Sequence, residues 1–291
     1  MARQMTFQKY YVACAFAIWG SMSLYWSLLP GVAEITVVAF RIVTTLFVYA
    51  AVALNGQGSL RLTRKDYALA ALAGAVIGVN WLCFVYAVTL EKVTEFSLGT
   101  FSAPALSMML GYWFFSEKAS KLDFLSFAFV LLGIAVYALS MSNPPILGIL
   151  VMLTTSVYFA LKKVINGPAS TVLLVETLTL LPVALVVLYL NRGEIAGFDL
   201  RTLVLLLLIG PVSFVPLYLF GVGVKFTRMI EVGYLQYISP FLSLTLALLY
   251  FGEKITEVRM VAFGLIGLAV ALRLQALRRK AIPAPGITAK T

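Results

Sequence analysis

The sequence predicts an all-α integral membrane protein with ten transmembrane helices, arranged as two inverted five-helix repeats around a central cavity. Hydrophobic residues make up 62% of the 291 residues and charged residues only 12%, which leaves too little polar surface for a water-soluble globule. Apolar runs of about 18 or more residues, long enough to cross a membrane as helices, recur along nearly the whole chain. Part of the fourth run is repeated in the ninth.

Ten apolar segments result when the chain is cut at glycine, proline, asparagine and charge clusters. They lie near residues 10–29, 34–54, 67–88, 93–115, 121–141, 146–164, 171–190, 201–224, 229–251 and 256–277. Strands are not expected, because membrane-spanning strands alternate polar and apolar residues whereas these runs are apolar on every face. The first run has about 20 residues and no small-residue cleavage pattern after it, which predicts a spanning helix rather than a signal peptide.

The distribution of Lys and Arg predicts the side of the membrane on which each loop lies. With the N-terminus inside, sixteen of the 22 basic residues fall in inner segments and five in outer loops, as the positive-inside rule requires. The remaining one, Arg41, falls within the second helix. We therefore expect a multi-pass protein of the cell inner (plasma) membrane with both termini cytoplasmic.

Residues 94–118 align without a gap on residues 230–254. Eight of the 25 paired positions are identical, among them Glu95 with Glu231, Pro104 with Pro240, Glu117 with Glu253 and Lys118 with Lys254. The repeat unit therefore contains five helices, and a unit with an odd number of helices inserts upside down the second time.

This duplication predicts a first repeat over residues 1–143, an inverted second repeat over 144–280, and a disordered Pro-rich tail over 281–291. Inverted repeats of this kind hold a small-molecule site near the membrane midplane, and exchanging the conformations of the two halves opens it to either side. Because one chain holds both repeats, a monomer is expected.

Four stretches resemble a known family: AIWGSMSLYW (17–26), EITVVAFRI (34–42), and the GYWFFSEK and LLYFGEK that end the two repeated helices. They are similar to the EamA-type ten-helix carriers of the drug/metabolite transporter superfamily, and the similarity extends from residue 8 to about residue 280. Within the family the chain most resembles the aromatic amino-acid exporters, followed by the RarD-like branch. The resemblance implies inverted repeats, a central cavity and export of small metabolites.

Two ionisable residues within the spans are candidates for binding or coupling, Arg41 and Glu176. An intramembrane charge is costly and is a functional candidate by default. For Arg41 the alternative is that it reaches the interface or pairs with Glu34. For Glu176 one possibility is proton coupling, and the other is the favourable position of a carboxylate near a helix start, which Glu34, Glu95 and Glu231 share.

Three further pairs of charged residues have simpler interpretations. Lys162 and Lys163 at the end of the sixth helix are interpreted as cytoplasmic anchors, with contact to a substrate carboxylate as the alternative. Glu117–Lys118 and Glu253–Lys254 are interpreted as ion pairs that fix where the fifth and tenth helices begin.

A set of aromatic and hydrogen-bonding residues is predicted to line the cavity, since polar groups in a membrane seek the bundle interior. It comprises Trp19, Ser23, Asn80, Trp81, Phe84, Ser97, Thr100, Phe101, Tyr158, Tyr234, Gln236 and Tyr237. Such a lining suits a small zwitterion with an apolar or aromatic side chain; helix packing is the alternative for each residue. Pro104 and Pro240 each remove a helical hydrogen bond and are predicted kinks or hinges.

The expected function is export of amino acids, aromatic and other apolar ones first, by alternating access. The alternative is a drug or cationic-metabolite exporter, which the lack of an acidic residue in the first helix disfavours. The sequence has no enzyme motif and no His, and Cys14 and Cys83 lie in apolar runs, so no enzyme, metal or cofactor is expected. The basic residues form short clusters, so lipid rather than nucleic acid is the expected environment.

Overall fold

A computed structural model describes residues 2–52, 55, 61–141, 144–252 and 256–281. Within these residues the regular structure is helical and contains no strand. The α-helices are α1 (Ala2–Trp26), α2 (Glu34–Val52), α3 (Arg64–Thr89), α4 (Val93–Trp113), α5 (Lys121–Leu139), α6 (Ile146–Val164), α7 (Ala169–Leu190), α8 (Arg192–Ala196), α9 (Leu200–Gly223), α10 (Met229–Gln236), α11 (Ile238–Leu249) and α12 (Glu257–Ala281). A short 3-10 helix, Val224–Phe226, extends α9.

Within the described residues the chain has twelve α-helices rather than the ten that were predicted, and the difference arises at two places. The loop after α7 contains the five-residue helix α8, and the ninth segment is divided into α10 and α11 at Tyr237. In the described part of the chain, seven helical stretches are long and apolar enough to cross a membrane. They are α2, α3, α5, α6, α7, α9 with its 3-10 extension, and α10 together with α11.

The two repeated prolines have different local effects. Pro104 lies inside α4, which continues through it from Val93 to Trp113. Pro240 follows the break between α10 and α11. Because proline has no amide hydrogen, the carbonyl of Gln236, the last residue of α10, lacks its usual helical donor. The next amide, that of Phe241, donates to the carbonyl of Tyr237 at 3.2 Å. Their role as hinges stays a prediction.

The chain forms two compact units. The first comprises residues 1–117 and 145–253; in it α2 packs on α7 and α9, α3 on α6 and α7, α4 on α6 and α10, and α1 on α9 and α11. Its main core is rich in rings, with Phe159 4.3 Å from Phe220 and Phe16 at 5.7 Å from both, measured between ring centroids.

The second unit comprises residues 118–144 and 254–291. In it α5 packs against α12 through buried Val130, Ala262 and Ile266. A capping box fixes the start of α5: the Ser120 hydroxyl accepts from the amide of Asp123 at 3.2 Å, and the Asp123 carboxylate accepts from the amide of Ser120 at 2.7 Å.

Candidate functional site

A buried ion pair joins α6 to α7. The Lys162 Nζ lies 2.7 Å from Oε1 of Glu176, and the two side chains are only 2% and 5% exposed. One turn before Lys162, the Tyr158 hydroxyl donates to Oε2 of Glu176 at 3.0 Å. Both carboxylate oxygens therefore have a partner, and the ion pair has no net charge.

The local sequence explains how these three groups meet. Tyr158 and Lys162 are separated by one helical turn and so project from the same face of α6. Gly74 of α3 lets α7 approach closely, because a Cβ at this position would lie 2.6 Å from the carbonyl oxygen of Glu176. Glu176 is consequently fixed at a helix crossing, two turns into α7.

These contacts correct two interpretations made from the sequence. Lys162 is not a cytoplasmic anchor, since its side chain is buried and paired. Glu176 lies beyond the first turn of α7, where the free amides of a helix start no longer reach it, so the helix dipole does not account for it. The sequence pattern missed both because the pairing depends on the crossing of α6 and α7.

Arg41 of α2 is a second charged side chain within a helix span, and it is partly buried. Its guanidinium carbon lies 4.0 Å from the ring centroid of Trp81 on α3, a cation–π contact. Its Nε is buried and has no hydrogen-bond partner. In the part of the chain that the structure describes, Arg41 makes no ion pair, so the pairing with Glu34 considered from the sequence is absent.

Tyr49 of α2 and Ser23 of α1 each have a buried hydroxyl oxygen without a hydrogen-bond partner. Tyr49 is 1% exposed, and its Oη has no hydrogen bond; it lies close enough to both Arg41 and Glu176 for electrostatic interaction. The Oγ of Ser23 on α1 is likewise unpaired. Tyr49 was not predicted from the sequence, although its position on α2, roughly two turns from Arg41, could have indicated it.

Aromatic rings surround these polar groups. Trp19 lies 5.4 Å from Phe16 and 5.6 Å from Phe220 between ring centroids, and it also packs with the cluster that contains Tyr49. Trp26 packs with the apolar cluster that includes Trp81. Phe84, one turn after Trp81, lies 5.4 Å from the Trp26 ring. The site is therefore polar at its centre and aromatic around it.

Other predicted cavity residues make helix contacts. Asn80 donates to the hydroxyls of Thr154 at 2.9 Å and Thr155 at 3.0 Å, and so joins α3 to α6. The hydroxyls of Ser97 and Thr100 bond to carbonyls of their own helix, α4.

A further group lies between α4 and α10. The Tyr237 hydroxyl donates to the carbonyl of Phe101 at 3.3 Å, and the Ser107 hydroxyl donates to Oε1 of Gln236 at 3.4 Å. Tyr234 is buried on α10. Trp19 thus packs with the cluster that contains Tyr158, Tyr158 bonds to Glu176, and Arg41 contacts Trp81, whereas this second group lies at a different helix contact.

Glu117 makes contacts that the sequence did not predict. Its two carboxylate oxygens accept from the amides of Met229 at 2.7 Å and Ile230 at 2.9 Å, at the start of α10. Lys163 Nζ and Arg228 Nε lie 3.9 and 4.0 Å from the same carboxylate. We call this arrangement the Glu117 latch.

The backbone at the end of α4 positions the latch. Ser116 has a left-handed conformation, with φ of 49°, and the amide of Glu117 returns to the carbonyl of Gly111 at 3.0 Å. The interpretation of Glu117–Lys118 as fixing the start of the fifth helix is wrong, because the Ser120–Asp123 box does so. Glu253–Lys254 lies outside the described residues.

Further polar contacts join the end of α6 and the loop that follows it to the loop after α9, close to the Glu117 latch. Lys163 Nζ donates to the carbonyl of Thr227 at 2.5 Å, and Lys225 Nζ donates to the carbonyl of Gly167. The Asp66 carboxylate accepts from the amide of Asn166 at 2.9 Å. The loops after α6 and α9 are thereby held together on one side of the unit.

Comparison with known proteins identifies the family. The model of the EamA-like transporter family matches the chain twice, over residues 9–139 and 144–274. The chain belongs to this family. As an EamA-like transporter it is a multi-pass membrane protein that moves a small molecule, and it is not an enzyme.

Relatives of this EamA-like transporter match most of its length. It is 31% identical to the Uncharacterized transporter PA0485 of Pseudomonas aeruginosa over 285 residues, covering 94% of this chain and 95% of that one. It is also 31% identical to Protein RarD of Salmonella typhi over 267 residues, covering 89% and 91%. A solved crystal structure that is 18% identical matches with a TM-score of 0.72, over 95% of this chain and 99% of that chain, which shows a shared fold.

Proposed function

We propose that this transporter exports amino acids, with aromatic and other apolar side chains preferred, by alternating access. The observation that supports the proposal is a partly buried Arg41 whose Nε has no acceptor, together with the rings of Trp81, Trp26 and Phe84 beside it. A zwitterion with an aromatic side chain matches both features, since the cation attracts its carboxylate and the rings accept its side chain. The resemblance of the chain to the aromatic amino-acid exporter YddG supports the same substrate class.

The proposed mechanism uses two inverted repeats, residues 1–143 and 144–280, with both termini cytoplasmic in the inner membrane. The helix starts support it: α3, α4 and α5 begin at residues 64, 93 and 121, and α9, α10 and α12 begin at 200, 229 and 257. Each of these three starts in the first half thus recurs with the same offset as the repeat of residues 94–118. The two matches of the family model also divide the chain near residue 143.

Counterflow in proteoliposomes tests the proposal. Vesicles with purified protein and internal unlabelled phenylalanine are given labelled phenylalanine outside, with and without a pH gradient. We expect saturable uptake that other apolar amino acids compete for, and little response to the gradient, because Lys162 and Tyr158 already occupy both oxygens of Glu176. Protein-free vesicles supply the background.

The same assay tests the alternative function, export of drugs or cations. Quaternary amines and chloramphenicol are included as competitors and as labelled substrates. Uptake of these compounds without uptake of any amino acid would reject the proposal in favour of a drug or cation exporter.

A further inference from the structure

We propose that Arg41 is the subsite that binds the carboxylate of the transported substrate, with Trp81 as the residue that positions its guanidinium. The assignment rests on the proposed function in requiring a carboxylate on the substrate. It goes further by naming the group that recognises this carboxylate and by limiting the substrate to one negative charge at this point.

The hydrogen bonds of Arg41 are the first argument. Buried polar groups in folded proteins are nearly always paired, and a guanidinium can donate five hydrogen bonds. The Nε of Arg41 is buried without an acceptor, and the side chain is only partly exposed. The guanidinium of Arg41 therefore has an unused N–H donor that can bind an acceptor on the substrate.

The charge balance is the second argument. Lys162 and Glu176 neutralise each other at 2.7 Å, so the formal charge of these two buried side chains and the partly buried Arg41 is one positive unit, that of Arg41. Among the charged residues of α2 to α11, Arg41 and Glu176 are those that lie more than one turn from either end of their helix. A single carboxylate would neutralise the site, whereas a cation would meet repulsion from Arg41.

The contact with Trp81 is the third argument. The guanidinium carbon of Arg41 lies over the indole ring, 4.0 Å from its centroid, which is a cation–π contact. A carboxylate binds a guanidinium in its plane through the N–H edge, and the indole ring offers these N–H groups no oxygen acceptor. Trp81 therefore holds the cation in place without supplying an anionic acceptor, which is the role of a positioning residue.

The aromatic surroundings indicate the rest of the ligand. Trp26 belongs to the apolar cluster around Trp81, and Phe84 lies 5.4 Å from Trp26. An aryl or alkyl group attached to the carboxylate would be in contact with these rings. The inferred ligand is thus a monocarboxylate with an apolar or aromatic group.

Binding of an isosteric probe pair tests the assignment without relying on amino-acid transport. Phenylacetate and phenylacetamide have nearly the same shape but differ in charge. Isothermal titration of each probe into the purified full-length protein in nanodiscs should show binding of phenylacetate that is about tenfold tighter or more, as expected for a charge-assisted hydrogen bond.

Substitutions connect this preference to Arg41. Arg41→Gln should reduce the preference to about twofold or less, and Arg41→Lys, which keeps the charge but lacks the planar fork, should retain part of it. Arg192→Gln is the matched control, because Arg192 also stacks on a ring, that of Tyr189 at 4.4 Å, but is exposed at a helix end. It should leave the preference unchanged.

The outcomes separate this assignment from the proposed function. Equal binding of both probes, binding of neither, or an unchanged preference in Arg41→Gln that melts at the wild-type temperature would overturn the subsite. If Arg41→Gln does not fold, Arg41→Lys and Trp81→Leu are measured as separate variants. A wild-type preference for phenylacetate in both of them would also overturn the subsite. Phenylalanine counterflow by the wild type that persists unaltered in Arg41→Gln would reject the subsite but keep amino-acid export. A wild type that prefers phenylacetate but transports no amino acid would keep the subsite and reject that export.

Discussion

Removing either partner of the Lys162–Glu176 pair leaves the other charge buried without compensation. The desolvation of a buried ion is repaid only by its partner and hydrogen bonds. We predict that Lys162→Met and Glu176→Gln each lower the free energy of unfolding, Lys162→Met by about 3 kcal/mol or more. Glu176→Gln should be the milder change, because the amide can still accept the hydrogen bond of Tyr158.

The double variant distinguishes this electrostatic explanation from simple loss of packing. Because Lys162→Met combined with Glu176→Gln removes both charges, it should be more stable than Lys162→Met alone. Thermal melting of the four proteins in the same detergent gives the comparison. Strictly additive losses would show that the two charges do not depend on each other.

Gly74 provides a steric test at the same crossing. A methyl group there would lie 2.6 Å from the carbonyl oxygen of Glu176 and 2.9 Å from its Cα, so α3 and α7 would have to separate. We predict that Gly74→Ala destabilises the protein by about 1–3 kcal/mol, the usual range for overpacking. Thermal melting of the purified variant measures this loss.

Gly264→Ala is the matched control for Gly74→Ala. Gly264 also lies inside a long helix, α12, but a Cβ there has nothing within 4 Å. The change should stabilise the protein by about 0.5–1 kcal/mol through helix propensity. Equal changes in stability for Gly74→Ala and Gly264→Ala would contradict a close crossing of α3 and α7.

At the scale of helices, the Glu117 latch stabilises the start of α10. Its carboxylate accepts from two of the free amides there, which both satisfies donors and places negative charge at the positive end of the helix. We predict that Glu117→Gln lowers stability by about 1 kcal/mol and speeds hydrogen exchange at the amides of Met229 and Ile230. Mass spectrometry of the corresponding peptides measures the exchange.

Glu95→Gln is the control for the latch. Glu95 accepts a longer bond, 3.4 Å, from the amide of Leu147 and pairs with exposed Lys92. Because that contact is weak and partly solvated, the substitution should change stability less than Glu117→Gln does. A larger loss of stability in Glu95→Gln than in Glu117→Gln would contradict the view that Glu117 stabilises the protein through its hydrogen bonds to two backbone amides.

The helices were largely predictable from the sequence, whereas the contacts between them were not. Long apolar runs ending at glycine, proline and charges located α2 to α7 within a few residues, and Pro240 indicated the break near Tyr237. The site is different, because Lys162 and Glu176 are on separate helices and Glu117 caps a helix more than a hundred residues later. Periodicity reports the exposure of one helix at a time and holds no information on such partners.

At the scale of the whole molecule, the proposed inversion of the two halves predicts on which side of the membrane particular residues lie. Phe114 and Tyr250 occupy equivalent positions, since the offset that relates α4 to α10 and α11 also relates these two residues. Both side chains are exposed, by 78% and 67%, at the ends of their helices. If the halves are inverted, Phe114 lies on the cytoplasmic side and Tyr250 on the outer side.

Labelling of single cysteines in intact cells tests this sidedness. With Cys14 and Cys83 replaced by Ser, Tyr250→Cys should react with a membrane-impermeant maleimide, whereas Phe114→Cys should react only after the cells are permeabilised. Because the two sites match in repeat position and exposure, a difference between them reports the side of the membrane rather than reactivity. Labelling of both residues from the same side would mean that the halves are parallel, and alternating access by exchange of inverted halves would then have no structural basis.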